Sequence, residues 1–211
     1  MNLDPNSFLA TLPGGFLILM AAAYLIGSIS TAIITCQLLG LHDPRTTGSN
    51  NPGATNVLRS GGKKAGAITL FGDMLKGLLP VLVARQLQAD NTLLALTACA
   101  VFLGHVFPIY YGFKGGKGVA TFYGAVLGLH WISALIALTI WGVSALIFKI
   151  SSLAALVSVL LSPIIIWWFT KSIPLSVGVF SMGMIIYWRH ADNISRILAG
   201  TEAKIGASKS P

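Results

Sequence analysis

The sequence predicts an all-α integral membrane protein with seven transmembrane helices. Of its 211 residues, 55% are hydrophobic and only 9% are charged, whereas a soluble domain carries about 25% charged residues. Uncharged runs recur that are long enough to cross a bilayer, which requires about 20 residues. Lys and Arg are concentrated in alternate connections between these runs, as the positive-inside rule expects of a membrane protein.

The apolar runs define the predicted spans in order along the chain. They cover residues 14–41, 65–83, 92–111, 119–148, 152–170 and 173–188. The run 119–148 is too long for one untilted crossing. His130, followed by Trp131 at an expected interface, predicts a tight turn that divides this run into two short spans.

The distribution of charge decides whether this run is counted once or twice. With seven spans and the N-terminus outside, Arg85 and Lys171 lie outside, and the inner side holds Arg45, Arg59, Lys63, Lys64, Lys114, Lys117, Lys149, Arg189, Arg196, Lys204 and Lys209. With six spans, Lys149 and the basic tail move outside and the bias nearly vanishes. The sequence therefore predicts seven spans, a cytoplasmic C-terminus, and three polar segments (43–64, 112–118 and 189–209) on the cytoplasmic face.

Composition argues against several other classes of protein. The longest polar stretch, roughly 41–66, is too short for a soluble domain, so residues 1–211 are expected to form one transmembrane domain. The net charge of +8 indicates membrane orientation and anionic ligands, since the aromatic-interleaved basic patches of nucleic-acid binders are absent. Cys36 and Cys99 lie in apolar runs without metal or disulfide spacing, so no metal or cofactor is expected. Residues 1–13 lack the Lys or Arg of a signal peptide.

The segment Gly112 to Thr121 reads G-F-K-G-G-K-G-V-A-T. Gly115, Gly116 and Gly118 allow positive φ, and the N–H groups of such a turn can form a nest for an anion. Lys114 and Lys117 add positive charge, and a helix that begins near Val119 would present its N-terminus to a phosphate. The segment is not a P-loop, because the residues after the lysine do not fit. The alternative is a flexible membrane-edge turn whose lysines only set orientation.

The polar segment before it reads D-P-R-T-T-G-S-N-N-P-G-A-T-N from Asp43 to Asn56. Arg45 offers a planar fork for bidentate phosphate binding. Hydroxyl and amide side chains surround it: Thr46, Thr47, Ser49, Asn50, Asn51, Thr55 and Asn56. Upstream, Ser28 and Ser30 lie in the first span, where serines often bond to their own helix. A turn-rich linker is the alternative interpretation of this segment.

Three ionisable residues lie within predicted spans. Asp73 and Lys76 are three apart and share a helix face. Ionisable groups inside a membrane are candidates for function, although a mutual ion pair that stabilises packing explains them equally well. His105 either lines a site or bonds a carbonyl that Pro108 leaves free.

The third polar segment reads R-H-A-D-N-I-S-R from Arg189 to Arg196, followed by G-T-E-A-K-I. His190 and Asn193 are three apart, so they share a helix face just past the last span. A histidine is a candidate general base near neutral pH. It is also common at membrane edges without a chemical role, and no Ser-His-Asp set is legible.

Together, these segments resemble the PlsY family of membrane glycerol-3-phosphate acyltransferases, the bacterial type that uses acyl phosphate. The matching runs are G-S-I-S, D-P-R-T-T-G-S-N-N-P-G-A-T-N, G-H-V-F-P-I-Y-Y-G-F-K-G-G-K-G-V-A-T, R-H-A-D-N-I-S-R and G-T-E-A-K. F-G-D-M-L-K-G and K-I-S-S-L also look like family segments. Asn50 stands where the family usually has glycine, and because Asn tolerates the left-handed conformation it is expected to keep the turn.

The resemblance implies acyl transfer from a fatty acyl phosphate to the 1-hydroxyl of glycerol 3-phosphate, giving lysophosphatidic acid and inorganic phosphate. It implies seven transmembrane helices in the bacterial inner membrane, an outside N-terminus, and an active site on the cytoplasmic side. By motif, Arg45 and Lys117 would bind phosphate, and His190 and Asn193 would position glycerol 3-phosphate. Further candidate substrate contacts are Ser28, Ser49, Asn51, Thr55, Asn56, Gly115, Gly116, Gly118 and Ser152.

The chemistry of the implied donor fits these residues. An acyl phosphate is an activated mixed anhydride, so the enzyme needs orientation and charge neutralisation more than a covalent nucleophile. Either the leaving phosphate or His190 could accept the hydroxyl proton. The H-x-x-x-x-D motif of acyltransferases that use acyl-CoA is absent from the sequence, so acyl-CoA is not the expected donor.

Two other classes of function remain as alternatives. A transporter or exchanger of an organic phosphate would use a similar basic pocket, but transporters usually contain internal repeats and no second copy of these motifs is found. A non-catalytic membrane scaffold would leave the clustered polar residues unexplained.

Overall fold

The computed structural model describes residues 14–206, which are all-helical as predicted. The expectations for residues 1–13 and for Lys209 concern residues outside this range. The helices are α1 (Gly15–Gly27), α2 (Thr31–Leu38), α3 (Ala54–Gln86), α4 (Asn91–Val106), α5 (Val119–Leu129), α6 (Trp131–Phe148), α7 (Ser151–Thr170), α8 (Ile173–Arg189) and α9 (Ala191–Leu198), with a short 3₁₀ helix at Ile109–Tyr111.

The first span is broken, which the continuous apolar run did not predict. Between α1 and α2, the Ser28 hydroxyl donates to the Tyr24 carbonyl at 2.9 Å, and Ser30 caps α2 by accepting from the Ile33 N–H at 3.4 Å. The carbonyl of Ile29, left free by the break, accepts a 2.6 Å hydrogen bond from Lys76 Nζ. A buried ammonium group from another helix therefore makes the break possible.

The second span belongs to a longer helix than predicted. Helix α3 has 33 residues and is kinked at Gly62, where φ is 83°. The kink separates a polar portion, 54–61, from the apolar portion that continues to Gln86. Within the described chain, five helical segments are long and apolar enough to cross a membrane, and α5 and α8 are shorter apolar helices.

The predicted division of the run 119–148 at His130 is confirmed. Helix α5 ends at Leu129 and α6 begins at Trp131, with His130 in an extended conformation between them. The His130 ring accepts from the Ser133 N–H at 3.3 Å, so it caps α6. A cap at this point ends one helix and starts the next, which explains the turn.

Small residues let the helices of the core approach one another closely. A Cβ on Gly124 of α5 would collide with the Met74 carbonyl of α3, and a Cβ on Gly27 of α1 would collide with the Val101 carbonyl of α4. Phe102 and Phe122 are completely buried in this core. Large apolar side chains on the outer surface, such as Leu146, are exposed, as expected for helices that face lipid rather than water.

The polar segments meet at one end of the bundle, as predicted. Arg189 Nη2 donates to the Gly115 carbonyl at 3.1 Å, Arg59 Nη2 to the Ala203 carbonyl at 3.5 Å, and the Ile205 N–H to the Lys149 carbonyl at 2.6 Å. At the opposite end, Arg85 bonds the Leu129 carbonyl.

Candidate functional site

The glycine-rich segment 112–118 lies against the end of α4. The Gly116 N–H donates to the His105 carbonyl at 3.2 Å, and a Cβ on Gly115 or Gly116 would collide with His105. Of the three glycines predicted to form an anion nest, only Gly118 has positive φ, at 87°. The positive φ expected at Gly115 and Gly116 is therefore not found: close packing against His105 accounts for these glycines, and the Gly116 N–H is bonded to the His105 carbonyl. Anion binding by the segment stays a prediction.

This packing holds Lys117 toward the start of α9. Lys117 is half-buried, and its ammonium group donates to Asn193 Oδ1. Burial lowers the pKa of Lys117, and the guanidinium of Arg196 lowers it further. Lys114, in contrast, is exposed. The two lysines of the segment therefore have different surroundings, as a site that uses only one of them would require.

Glu202 is the centre of the hydrogen-bonded cluster around Asn193. One carboxylate oxygen accepts from Asn193 Nδ2 at 2.5 Å and from Ser152 Oγ at 2.7 Å. The other accepts from Arg196 Nε at 2.6 Å. Burial acts to raise the pKa of Glu202, but the hydrogen bonds from Ser152, Asn193 and Arg196 outweigh it and hold the pKa below its usual value. The carboxylate thus stays ionised and fixes Asn193.

Neither Glu202 nor Arg196 was among the predicted site residues. The available signal was that Glu202 is the only glutamate in the chain and stands in the G-T-E-A-K run. Its partners Ser152 and Asn193 come from different helices, so the cluster could not be assembled from spacing alone.

His190 lies beside this cluster between α8 and α9 and is only 4% exposed. Its Nδ1 donates to the Ile186 carbonyl at 2.8 Å, which leaves Nε2 as an acceptor. Burial lowers the pKa of His190 to about 4; Lys117 and Arg189 add to this effect, and the Ile186 bond opposes it. The ring is therefore neutral at physiological pH and can accept a hydrogen bond from a hydroxyl group.

Arg45 does not offer a free fork. Its Nη2 lies 2.7 Å from Asp43 Oδ2, and its Nε lies 3.1 Å from both carboxylate oxygens. The hydrogen bonds from Arg45 hold the pKa of Asp43 below its usual value. Arg45 also lies over the ring of Tyr111, 5.8 Å from its centroid. This places Arg45 next to the glycine-rich segment, with a carboxylate as its present partner.

Asn56 holds the preceding loop together. Its Nδ2 donates to the carbonyls of Pro44 at 2.9 Å and Thr47 at 3.0 Å, and its Oδ1 accepts from the Ser49 N–H at 3.0 Å. All of these bonds lie within the loop, so the Asn56 amide is engaged in shaping it. Asn50 has φ of 56°, which confirms that an asparagine can keep the left-handed turn.

The remaining candidates are distributed around these residues. Ser49 and Thr55 are exposed and Asn51 is half-buried on the same loop. Ser28 is completely buried and accepts from the Ile109 N–H at 3.4 Å, so it lies in the wall of the bundle rather than in the cluster. The cluster itself brings together Lys117, Asn193 and Ser152 from the predicted set.

An apolar groove of about 360 Å³ begins beside Ser152 and runs between α7, α8 and α9. It is lined by Leu153, Leu156, Val157, Leu160, Leu161, Tyr187, Ile194, Ile197 and Leu198. Two of these, Ile194 and Ile197, neighbour Asn193 and Arg196 along α9. Groove residues are thus chain neighbours of the cluster residues Ser152, Asn193 and Arg196. No group of three or more potential metal ligands occurs among residues 14–206.

The helices and this site define an integral membrane protein with a cationic, hydrogen-bonded cluster next to an apolar groove. A family model described as glycerol-3-phosphate acyltransferase matches residues 17–200, and the chain belongs to this family. The family assignment made from the sequence is therefore confirmed, and the chain is an acyltransferase rather than a transporter.

Curated relatives and solved structures agree with this assignment. The chain is 52% identical over 189 residues to a glycerol-3-phosphate acyltransferase of Thioalkalivibrio sulfidiphilus, covering 89% of this chain and 93% of the relative. It is 48% identical to a glycerol-3-phosphate acyltransferase of Methylococcus capsulatus, and the match covers 91% of this chain and 97% of the relative. A crystal structure of PlsY (YgiH), an integral membrane glycerol 3-phosphate acyltransferase in its glycerol 3-phosphate form, aligns with a TM-score of 0.87 and 37% identity over 92% of this chain and 96% of that chain. Its lysophosphatidic acid form aligns with a TM-score of 0.85 and 36% identity over the same shares.

Proposed function

We propose that this protein transfers a fatty acyl group from acyl phosphate to the 1-hydroxyl of glycerol 3-phosphate, with lysophosphatidic acid and inorganic phosphate as products. The observation that carries the proposal is the cluster of Lys117, Asn193, Glu202 and Ser152, two of whose members are chain neighbours of residues that line an apolar groove. Such a site can hold a polar phosphate beside a fatty chain. The relatives with glycerol 3-phosphate and lysophosphatidic acid forms support the same acceptor and product.

Phosphate recognition is assigned to the cations around the cluster. Lys117 and Arg196 lie within it, and Arg189 bonds the loop that carries Lys117. Arg45 lies next to the same loop and is bonded to the Asp43 carboxylate. It would therefore bind phosphate with its remaining N–H groups, or release Asp43 when phosphate binds. Charge-assisted hydrogen bonds of this kind are about twice as strong as neutral ones.

The acyl transfer itself needs no covalent enzyme intermediate. The glycerol 3-phosphate hydroxyl oxygen attacks the carbonyl carbon of the acyl phosphate, the carbon–oxygen bond to phosphate breaks, and the hydroxyl proton ends on the released phosphate. The low pKa of His190 makes it a weak base at neutral pH, which favours the phosphate as the final proton acceptor. His190 Nε2 would then orient the hydroxyl, while nearby cations stabilise developing negative charge.

The acyl chain is assigned to the groove beside Ser152. The groove is apolar along its length, and it opens between helices whose outer faces meet lipid. A fatty chain could therefore enter from the bilayer without crossing water, which would otherwise cost about 0.8 kcal/mol per CH₂ group.

We also propose that residues 1–211 form one domain with seven crossings, an outside N-terminus, and the site on the cytoplasmic side of the bacterial inner membrane. Five long and two shorter apolar helical segments support this count. The contacts at the two ends support it as well: Arg59, Lys117, Arg189 and Arg196 gather at one end, whereas Arg85 bonds the α5 terminus at the other.

An assay with purified protein tests the reaction. Acyl phosphate and glycerol 3-phosphate together should release inorganic phosphate and form lysophosphatidic acid in equal amounts, and omitting either substrate should abolish the product. Turnover with acyl-CoA but not with acyl phosphate would refute the proposed donor. Exchange of glycerol 3-phosphate across proteoliposomes without product formation would support the transporter alternative.

A further inference from the structure

A second set of charged and titratable residues is buried inside the bundle and adjoins the glycine-rich segment of the proposed site. Asp73 is 1% exposed, and Lys76 and His105 are each 7% exposed. Lys76 Nζ lies 2.8 Å from Asp73 Oδ1, and His105 Nδ1 lies 3.6 Å from the same oxygen. Burying an ion costs several kcal/mol unless partners compensate it, so this arrangement of α3 and α4 residues needs an explanation.

The network joins two irregular segments of the chain. On one side, Lys76 donates to the Ile29 carbonyl at the break in the first span. On the other side, the His105 carbonyl accepts from the Gly116 N–H, and a Cβ on Gly116 would collide with His105 Nε2. His105 thus contacts Gly116 with both its backbone and its ring. Gly116 is the residue immediately before Lys117.

A simple ion pair within α3 does not account for these contacts. Asp73 and Lys76 could neutralise each other on one helix without reaching α4 or the loop. Instead, Asp73 contacts His105, and His105 sets the surface on which Gly115 and Gly116 lie. Arg189 also bonds the Gly115 carbonyl at 3.1 Å, so the loop backbone is held by contacts with both His105 and Arg189.

We propose that Asp73, Lys76 and His105 are positioning residues for acyl transfer. They hold the backbone at Gly115 and Gly116 so that the Lys117 ammonium group meets Asn193 rather than solvent. The proposal rests on the proposed function, in which Lys117 binds phosphate. A displacement of about 1 Å in such a group can cost up to about a hundredfold in rate.

Double-mutant kinetics provide the test, because they separate an effect through Lys117 from general damage. Asp73→Asn and His105→Gln are each made in the natural protein and in a Lys117→Ala background. Each should lower kcat/KM by about tenfold or more in the natural protein and have little further effect once Lys117 is absent. Equal fold losses in both backgrounds would overturn the proposal, and so would unchanged kcat/KM in the natural background.

Stability controls keep the test decisive. Thr69→Val alters a buried residue of α3 whose hydroxyl bonds only its own helix in the contacts observed, and it should leave kcat/KM unchanged. Removing one partner of a buried ion pair is more destabilising than removing both. Asp73→Asn with Lys76→Met should therefore be folded in detergent yet remain slow, and recovery of full activity in this variant would overturn the proposal. If none of the network variants accumulates in membranes, the network serves folding and the proposal is wrong.

The result is distinguishable from a failure of the proposed function. If the natural protein shows no acyl transfer, the proposed reaction is refuted. If the natural protein is active and the network variants are equally active, the reaction stands and only the positioning role is refuted.

Discussion

Lys117 and Lys114 are three residues apart in the same segment, yet the structure gives them different surroundings. Lys117 is half-buried and bonds Asn193, whereas Lys114 is exposed. A lysine at a membrane edge whose only task is orientation can extend its ammonium group to the headgroups. The difference between the two side chains predicts that substitution of Lys117 affects activity more than substitution of Lys114.

Lys117→Ala should lower kcat/KM by roughly one to two decades, because it removes a charge-assisted contact of about 1.5–3 kcal/mol. Lys114→Ala should change kcat/KM much less. Steady-state kinetics of both variants, with acyl phosphate and glycerol 3-phosphate varied in turn, measure the difference. Small and equal effects would show that the segment is only a flexible connection.

His190 predicts a dependence of stability on pH. Its pKa falls from the ordinary value of 6.5 to about 4 in the folded protein. Between these values the unfolded chain binds more protons than the folded one, so the free energy of unfolding decreases as pH falls from 6.5 to 4. The loss is on the order of 3 kcal/mol when pH reaches the lower value.

Thermal unfolding in detergent across this range measures the effect, with His190→Gln as the control that cannot titrate. The natural protein should lose more stability than the control as the pH is lowered through the window. Below about pH 4.5, protonation of Glu202 adds a second loss, since its pKa is also depressed. Parallel curves for the two proteins between pH 6.5 and 4.5 would contradict the prediction.

Which site residues could be predicted depended on whether their partners are local. Lys117, His190 and Asn193 were predicted because their residue types and spacing indicate anion binding and a shared helix face. The Arg45–Asp43 pair is local too, but a free guanidinium was expected and the carboxylate two residues away was overlooked. Glu202 is different, because its partner Ser152 is 50 residues away in the sequence. A contact over that separation cannot be predicted from the spacing of residue types.

At the scale of helices, the break at His130 was predictable from the sequence, whereas the break at Ser28–Ser30 was not. His130 interrupts an uncharged run and caps α6 with its own ring, so this break depends only on residues close together in the sequence. The break at Ser28–Ser30 also has a local cap, the Ser30 hydroxyl, but serines within a span often bond their own helix, as Ser28 does, so they did not indicate a break. Its free Ile29 carbonyl is satisfied by Lys76, 47 residues away, which is a tertiary contact that only the fold provides.

Helices α7, α8 and α9 give the groove a direction that can be tested. It begins beside Ser152, and Val157 lies five residues further, or about 7.5 Å along the helix axis. Val157→Trp should fill the groove at that depth. The variant should lose kcat/KM with long-chain acyl phosphates and keep more of it with short-chain ones.

The matched control is Leu146→Trp, because Leu146 is 79% exposed on the outer surface of α6 and does not line the groove. It should preserve the chain-length profile of the natural protein. Equal losses for all chain lengths in Val157→Trp, with unchanged thermal stability, would mean that the acyl chain lies elsewhere.

At the scale of the whole molecule, the crossing that contains α5 is unusual. Helix α5 has 11 residues and rises only about 16 Å, roughly half of the hydrocarbon thickness of about 30 Å. The segment 112–118 precedes it and packs against the buried end of α4. In the proposed topology, the segment 112–118 and α5 would make this crossing together. Irregular backbone within a crossing is tolerated when protein surrounds it.

The seven-crossing topology leads to a prediction about both faces of the molecule. If the N-terminus is outside, a fluorescent reporter that folds only in the cytoplasm should give signal when fused after Pro211. A phosphatase that is active only outside the cytoplasm should be silent there and active when fused after Gln88 or Lys171. The reason is the distribution of cations: Arg59, Lys117, Arg189 and Arg196 contact one another's segments at one end, and positively charged connections stay in the cytoplasm.

Phosphatase activity after Pro211, with fluorescence after Gln88, would mean that the whole bundle is inverted and that glycerol 3-phosphate is bound on the other side of the membrane. Phosphatase activity at all three positions would instead mean that α8 does not cross, and activity after Gln88 and Pro211 but not after Lys171 would mean that α5 does not cross.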